Sequence, residues 1–232
     1  MEVHRPKFLK GLIEEVFVIV LSISLAVIAE NIVEHYHHKN ESKEALVRLK
    51  TELKKDLMDL NYNYPLHEKA IRATQALTDW SKGKIQLTDD SLAIYASHSL
   101  NWSTFYSNTS EFESLKSSSK ISFIEDKELV SKIFENYNRY AEYKLYSNNE
   151  FTIGQNLSSI YKKNTSFVSN TVLNDPFLLF DAKELMKLKG NKEFENTLQE
   201  KKEMDQIMIL TIDEHRTRVN ELIKLIQEEI NH

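Results

Sequence analysis

The residues whose types and spacing suit chemistry gather just after an apolar run. Glu34, His35, His38 and Glu41 lie close together in the chain. On a helix Glu34, His38 and Glu41 share one face, and His35 is three residues from His38. Imidazole and carboxylate at that spacing can bind Zn²⁺ or another divalent ion. The recognised helical motif spaces its two histidines by four, and no such pair occurs here. The competing reading is a solvated polar collar.

His215 sits between Ile212 and Val219 on an apolar stripe. A catalytic base needs a partner within hydrogen-bond reach, and the sequence nominates none. A partly buried histidine satisfied by a hydroxyl or carboxylate is expected, with Glu214, Arg216 and Arg218 in surface ion pairs. Tyr137, Tyr140, Tyr143 and Tyr146 are spaced three apart, which drifts round a helix. Tyr137 and Tyr140 are expected inside, with Tyr143 and Tyr146 half exposed. An aromatic surface for a peptide or glycan is the alternative to ordinary packing. No serine–histidine–acid order, phosphate loop or paired-carboxylate motif stands out, and no cofactor is implied.

These groups need elements to hold them, and composition limits what those can be. The 232 residues include 4 Gly and 3 Pro. An all-β fold needs more turn residues than that, and a glycine-loop nucleotide fold is excluded on the same ground. The net charge of -5 leaves no basic footprint for nucleic acid. With no cysteine there are no disulfides or thiolate sites.

Val16 to Ala29 contains no charged residue, and extending it to 11–33 gives a length that can cross a bilayer, which takes about 20 apolar residues. A retained signal anchor, a signal peptide cleaved after Ala29 and a buried core helix all fit an apolar run. Glutamates Glu14 and Glu15 where basic residues should stand disfavour cleavage. The run is apolar all round, which disfavours a one-faced core helix. Arg5, Lys7 and Lys10 bias the N-terminus towards the cytoplasm. Glu15, Ser22, Ala26, Ala29 and Val33 fall on one seam of the helix, where small residues allow another helix to approach.

Beyond the run, Leu46, Leu49, Leu53, Leu57, Leu60 and Tyr64 predict a helix over 41–64, with Lys50, Lys54, Lys55 and Asp56 on its solvated faces. Pro65 predicts the start of a second helix, closed by Gly83. Thr88 predicts the cap of a third, running to about Leu100. Residues 101–108 read as irregular. Ser110 and Glu113 have capping-box spacing. Asp126 caps a helix through Leu129, Ile133, Tyr137, Tyr140 and Leu145, with Asn148, Asn149 and Gly154 threatening a break. A polar linker over 166–175, an apolar run over 177–180 and a small helix lead to Gly190. The last helix carries Phe194, Leu198, Met208, Ile212, Val219, Leu222, Ile226 and Ile230 on one stripe.

Glu15, Ser22, Ala26 and Asn31, followed by a long charged helix, resemble a family of bacterial single-pass membrane proteins known only as a domain of unknown function. Its glycine is Ser22 here and its tryptophan is Ile32. The segment from Phe112 to Tyr137 is similar to a second block of that family. The resemblance implies membrane anchorage and a helical domain, and no activity.

The expectation is therefore an all-α protein. It has a cytoplasmic tail (1–10), a transmembrane helix (11–33) and an extracytoplasmic helical bundle (34–232), held in a bacterial inner membrane. Its partners are expected to be membrane lipids and a second copy or another membrane protein, with no nucleic acid. The expected role is a non-catalytic interaction or sensor-like module. An oligomeric pore or membrane-perturbing effector is the alternative, and a small hydrolase-like enzyme the third.

Overall fold

A computed structural model describes residues 7–168 and 179–231. The fold is all-α. Helix α1 runs unbroken over Lys7–Ser81, about 110 Å at 1.5 Å per residue. Pro65 lies inside it, so the expected break does not occur. Proline removes one hydrogen bond to the carbonyl four residues back. That carbonyl belongs to Asn61, and both residues are exposed, so water can take the place of the missing donor. Gly83, with a φ of 73°, ends the helix. Its amide bonds the Trp80 carbonyl at 3.0 Å and the Lys84 amide bonds that of Asp79 at 2.8 Å, satisfying last-turn carbonyls.

The buried face of α1 keeps one register across the proline. Leu46, Leu49, Leu53, Asp56, Leu60, Asn63, His67, Ala70, Thr74, Leu77 and Ser81 are all buried. Their spacing alternates three and four, the heptad pattern of helices packed along their length. Asp56 therefore does not lie on a solvated face as expected. Leu57 and Tyr64 are only half-buried.

Helix α2 spans Asp89–His98 and is capped as expected by the Thr88 side chain, which accepts from the Ser91 amide. Helix α3 spans Ser110–Ser117. The capping box expected there is absent: Thr109 is the N-cap, and the Ser110 hydroxyl donates to Glu52 on α1 instead. A 3-10 turn, Lys120–Phe123, follows Ser119, whose φ of 59° turns the chain. Helix α4 runs over Lys127–Asn164, with Asp126 accepting from the Glu128 and Leu129 amides. Neither the asparagine pair nor Gly154 interrupts it. Its buried positions include Leu129, Ile133, Asn136, Tyr140, Tyr143, Ser147 and Glu150, again stepping by three and four. Tyr143 is thus fully buried rather than half exposed, and Leu145 is exposed.

Strands β1 (Phe167–Val168) and β2 (Leu179–Phe180) form one short antiparallel pair. Most of the expected linker and of the apolar run before Phe180 lies outside the described residues. Helix α5 (Ala182–Leu185) and a 3-10 turn (Met186–Leu188) lead to helix α6, Lys192–Asn231. Its buried face is Phe194, Leu198, Lys201, Asp205, Met208, Ile212, His215, Val219, Leu222 and Ile226, a third alternation of three and four.

Helix α6 packs along both α1 and α4, while the backbones of α1 and α4 barely approach each other. Ser81 meets Glu195 at one end and Lys50 meets Gln227 at the other, so α6 runs antiparallel to α1. Leu77, Trp80, Leu92, Tyr161, Leu185 and Phe194 form a separate apolar cluster at the far end.

The N-terminal part of α1 is one helix long and apolar enough to cross a membrane, and none of its apolar window is buried. Phe17 is 65% and Val33 68% exposed. The buried-core alternative for this run does not hold.

Leu222 packs in the main core with Val219 and Ile226, alongside Leu46, Leu49 and Leu53 of α1. Truncation to alanine removes buried methyl groups and leaves a cavity. L222A is expected to lower unfolding free energy by about 2–5 kcal/mol in denaturant titration; a loss under about half a kcal/mol would place this stripe at the surface.

Candidate functional site

A wedge of irregular chain shapes the interior. Residues 101–109 belong to no helix or strand, and they bond to side chains of both α1 and α4. Buried backbone groups need partners, and here those helices supply them. The Asn63 side chain donates to the Thr104 carbonyl at 3.3 Å, and Ser147 to that of Ser103 at 2.9 Å. Asp56 accepts from the Asn108 amide at 2.9 Å and from its side chain at 2.7 Å. The Tyr140 hydroxyl donates to the other Asp56 oxygen at 2.8 Å. Burial holds the Asp56 carboxyl above the usual carboxylate range, partly offset by those three donors.

One layer further along, α1, α4, α6 and the wedge converge on a cluster that sequence reasoning missed. The His67 Nδ1 lies 2.9 Å from Asp205 Oδ1 and 3.3 Å from Glu150 Oε1. Its Nε2 lies 2.8 Å from Ser103 Oγ. Lys201 Nζ donates to both Asp205 oxygens at 2.7 Å and to Glu150 Oε1 at 3.0 Å. His67, Glu150, Lys201 and Asp205 are all fully buried. Among the described residues, Glu150 Oε2 has no hydrogen-bond partner.

Charge and hydrogen bonding decide what this cluster does. Burial disfavours an imidazolium at His67, but hydrogen bonds to Asp205 and Glu150 and their charges outweigh it, so its pKa is raised. Burial pushes Glu150 upward, yet His67 and Lys201 hold it below the usual carboxylate range. For Asp205, burial together with the nearby Glu150 charge prevails and its pKa is raised. With both carboxylates ionised and His67 protonated, two anions face two cations and the cluster is neutral.

Ser103, His67 and Asp205 have the connectivity of an acyl-transfer relay. A relay base must accept the serine proton, and an imidazolium has no free lone pair to do so. Ser103 is only 5% exposed. The surface groove between α4 and α6, lined by Glu135, Leu210 and Arg218, and the one beside Phe112 and Tyr137 do not include these residues. His67, Glu150 and Asp205 also place three ligand-type atoms within 4.8 Å of one another. The Lys201 ammonium lies at hydrogen-bond distance from both carboxylates, where a divalent ion would compete with it.

The expected metal candidates do not converge. His38 Nε2 faces Glu34 at 3.5 Å while its Nδ1 faces Glu41 at 3.8 Å. Opposite ring nitrogens cannot chelate one ion. His35 turns instead to Glu125, at 3.7 Å. In the apolar run, Ser22 Oγ donates to the Val18 carbonyl of its own helix at 2.8 Å; Ala26 and Ala29 lie exposed beside it.

His215 is buried at 3% exposure; the polar group within hydrogen-bond range is Arg218 rather than the expected hydroxyl or carboxylate, and the Glu142 carboxylate acts on it through charge alone. Arg218 Nη1 lies 3.4 Å from its Nδ1, and its ring packs on Tyr140 and Tyr143. Burial, then the Arg218 charge, pushes its pKa down to about 4. Arg216 pairs with Asp213 at 3.1 Å and Arg218 approaches Glu135 at 4.0 Å. The heptad spacing was the available signal for the missed cluster. Continuing Leu53 and Leu60 by steps of three and four reaches His67, and continuing back from Met208 reaches Asp205 and Lys201.

Comparison of the chain with protein-family models, with curated proteins and with solved structures finds no match.

The two buried histidines set opposite limits on stability. The contribution of His67, whose native pKa is raised, is full below about pH 6.5 and is lost as pH rises through its native value. The contribution of His215 is full above about pH 6.5 and is lost as pH falls towards 4. Thermal unfolding followed by circular dichroism is expected to show H67Q flattening the alkaline side of the stability profile and H215F the acid side. Unchanged slopes in both variants would remove these histidines as its source.

Proposed function

We propose that this chain is a membrane-anchored, non-catalytic interaction or sensor-like module whose bundle acts outside the cytoplasm of a bacterial inner membrane. The observation that carries the reading is the unburied apolar end of α1, continuous in one helix with a bundle core that starts near Ala45. Apolar side chains left in water on this scale call for a membrane or a partner. Helix α1 would then act as a rigid strut, passing axial displacement or rotation from the bundle to the span. The protonated state favoured at His67 and the burial of Ser103 support a structural role for the cluster over a hydrolytic one.

Orientation follows from Arg5, Lys7 and Lys10 ahead of the span. A reporter active only in the cytoplasm, fused after His232, is expected to be silent while the protein stays in the alkali-resistant membrane fraction. Strong reporter activity reverses the topology, and release into the soluble fraction removes the anchor.

The proposed partner is a second copy or another anchor, met along the seam of Glu15, Ser22, Ala26 and Ala29. Small residues there leave room for close backbone approach, and a glutamate at a bilayer edge is best satisfied by water or a partner. In a membrane two-hybrid assay, S22L with A26L is expected to weaken association while I19L with I23L does not. Equal effects on both faces, or no self-association in the starting protein, would exclude the seam as a contact between copies.

A further inference from the structure

The folded domain does not stop where its core stops. Its main core begins at Ala45 and Leu46, yet the segment 120–125 descends beside α1 as far as His35. Lys120 Nζ donates to Glu41 at 2.9 Å. The Phe123 ring stacks on His38 with centroids 3.8 Å apart and planes 18° apart. Glu125 reaches His35 at 3.7 Å. His35 is two residues past Val33, about 3 Å along a helix axis. If α1 crosses a bilayer as proposed above, this turn lies at headgroup depth.

The composition at that level is unusual for its share of histidine. Segments 34–41 and 120–127 carry Glu34, Glu41, Glu125 and Asp126 against Lys39, Lys120 and Lys127. Their net charge is therefore -1, and protonation of His35, His37 and His38 makes it +2. Each imidazole already faces a carboxylate: His35 faces Glu125, His37 faces Glu41 at 3.8 Å, and His38 lies between Glu34 and Glu41. Lys120 from the turn shares Glu41 with them and holds its carboxyl below the usual carboxylate range. Asp126 is committed to the α4 amides, and Lys127 to the carbonyls of Ser122 and Ile124. Histidine is the side chain that changes charge between roughly pH 5 and 8.

We propose that this histidine collar and the turn over Lys120–Phe123 form a surface that docks on anionic phospholipid headgroups when the collar is protonated. The inference rests on the anchor reading above. Protonation turns a face that an anionic surface repels into one it attracts, with a gain of about fivefold in partition for each added charge near such a surface. An anionic bilayer also gathers protons at its surface, so it promotes the form that binds it. The surface tilts the bundle towards the membrane at low pH and releases it at neutral pH.

The chain has no cysteine, so S122C offers a single attachment point on the exposed side of the turn. K84C, three residues past Ser81, the end of α1, which lies about 70 Å from Val33 at 1.5 Å per residue, serves as the distant control. The full chain is reconstituted in nanodiscs of phosphatidylcholine alone or mixed with phosphatidylglycerol. A fluorophore at either site is then quenched by nitroxide-labelled headgroups. Quenching at residue 122 is expected to rise between about pH 7.5 and about pH 5.5, only with the anionic lipid, and to stay absent at residue 84. The combined H35Q, H37Q and H38Q variant is expected to lose that rise. Quenching that ignores lipid charge, ignores pH, or survives the triple substitution overturns the proposal, as does its absence under every condition. Incorporation is read separately from co-elution with the nanodisc: a chain that incorporates but shows no response defeats this proposal alone, whereas one that fails to incorporate defeats the anchor reading with it.

Discussion

The interior of this bundle is organised by a piece of chain with no regular partner. Residues 101–109 run between α1 and α4, and a buried peptide group left unpaired is costly. Two parallel helices have no spare backbone donors to offer, since each bonds along its own axis. The partners must therefore be side chains, and they must stand at core positions. That requirement accounts for Asp56, Asn63 and Ser147 where leucines would otherwise pack; His67 meets the wedge through the Ser103 side chain instead. It also keeps the backbones of α1 and α4 apart, leaving α6 to bind both.

Charge balance follows from the same arrangement. Once His67 stands inside, its surroundings decide its protonation, and Asp205 and Glu150 favour the imidazolium. Two carboxylates around one imidazolium would leave a net negative charge in a dry interior, and Lys201 removes it. Three helices each contribute a member, so the cluster sets their relative register as well as their charge. Removing one member of such a set leaves an uncompensated buried charge, a loss of about 3–5 kcal/mol in comparable pairs. His215 packs on aromatic rings beside Arg218, and burial with the Arg218 charge outweighs the nearby Glu142 carboxylate and drives its proton off. The same residue type is thus driven towards the imidazolium in one place and towards the neutral imidazole in the other.

Helix α1 joins this interior to the apolar end of the chain. Its register passes Pro65 without a shift because the unbonded carbonyl lies on the exposed side, where the helix needs no neighbour. A hinge there would uncouple the two halves. Under the proposed reading, the continuous helix makes the bundle and the span a single mechanical element.

Much of the fold was legible in the residues alone. The scarcity of glycine and proline requires helices, the charge-free run marks the exposed end, and Thr88, Asp126 and Gly83 mark boundaries through hydrogen bonds confined to a few neighbouring residues. Those are local effects, and local sequence determines them. Apolar periodicity found the leucine stripes but substituted Leu57 and Tyr64 for Asp56 and Asn63, because a pattern of hydrophobicity passes over a polar residue that faces inward. Ser103, His67, Glu150, Lys201 and Asp205 come from four separate parts of the chain, so their meeting depends on how α4 and α6 pack against α1. Only the tertiary structure decided that, and with it the protonation of both buried histidines, since burial and neighbouring charge exist only once the helices are assembled.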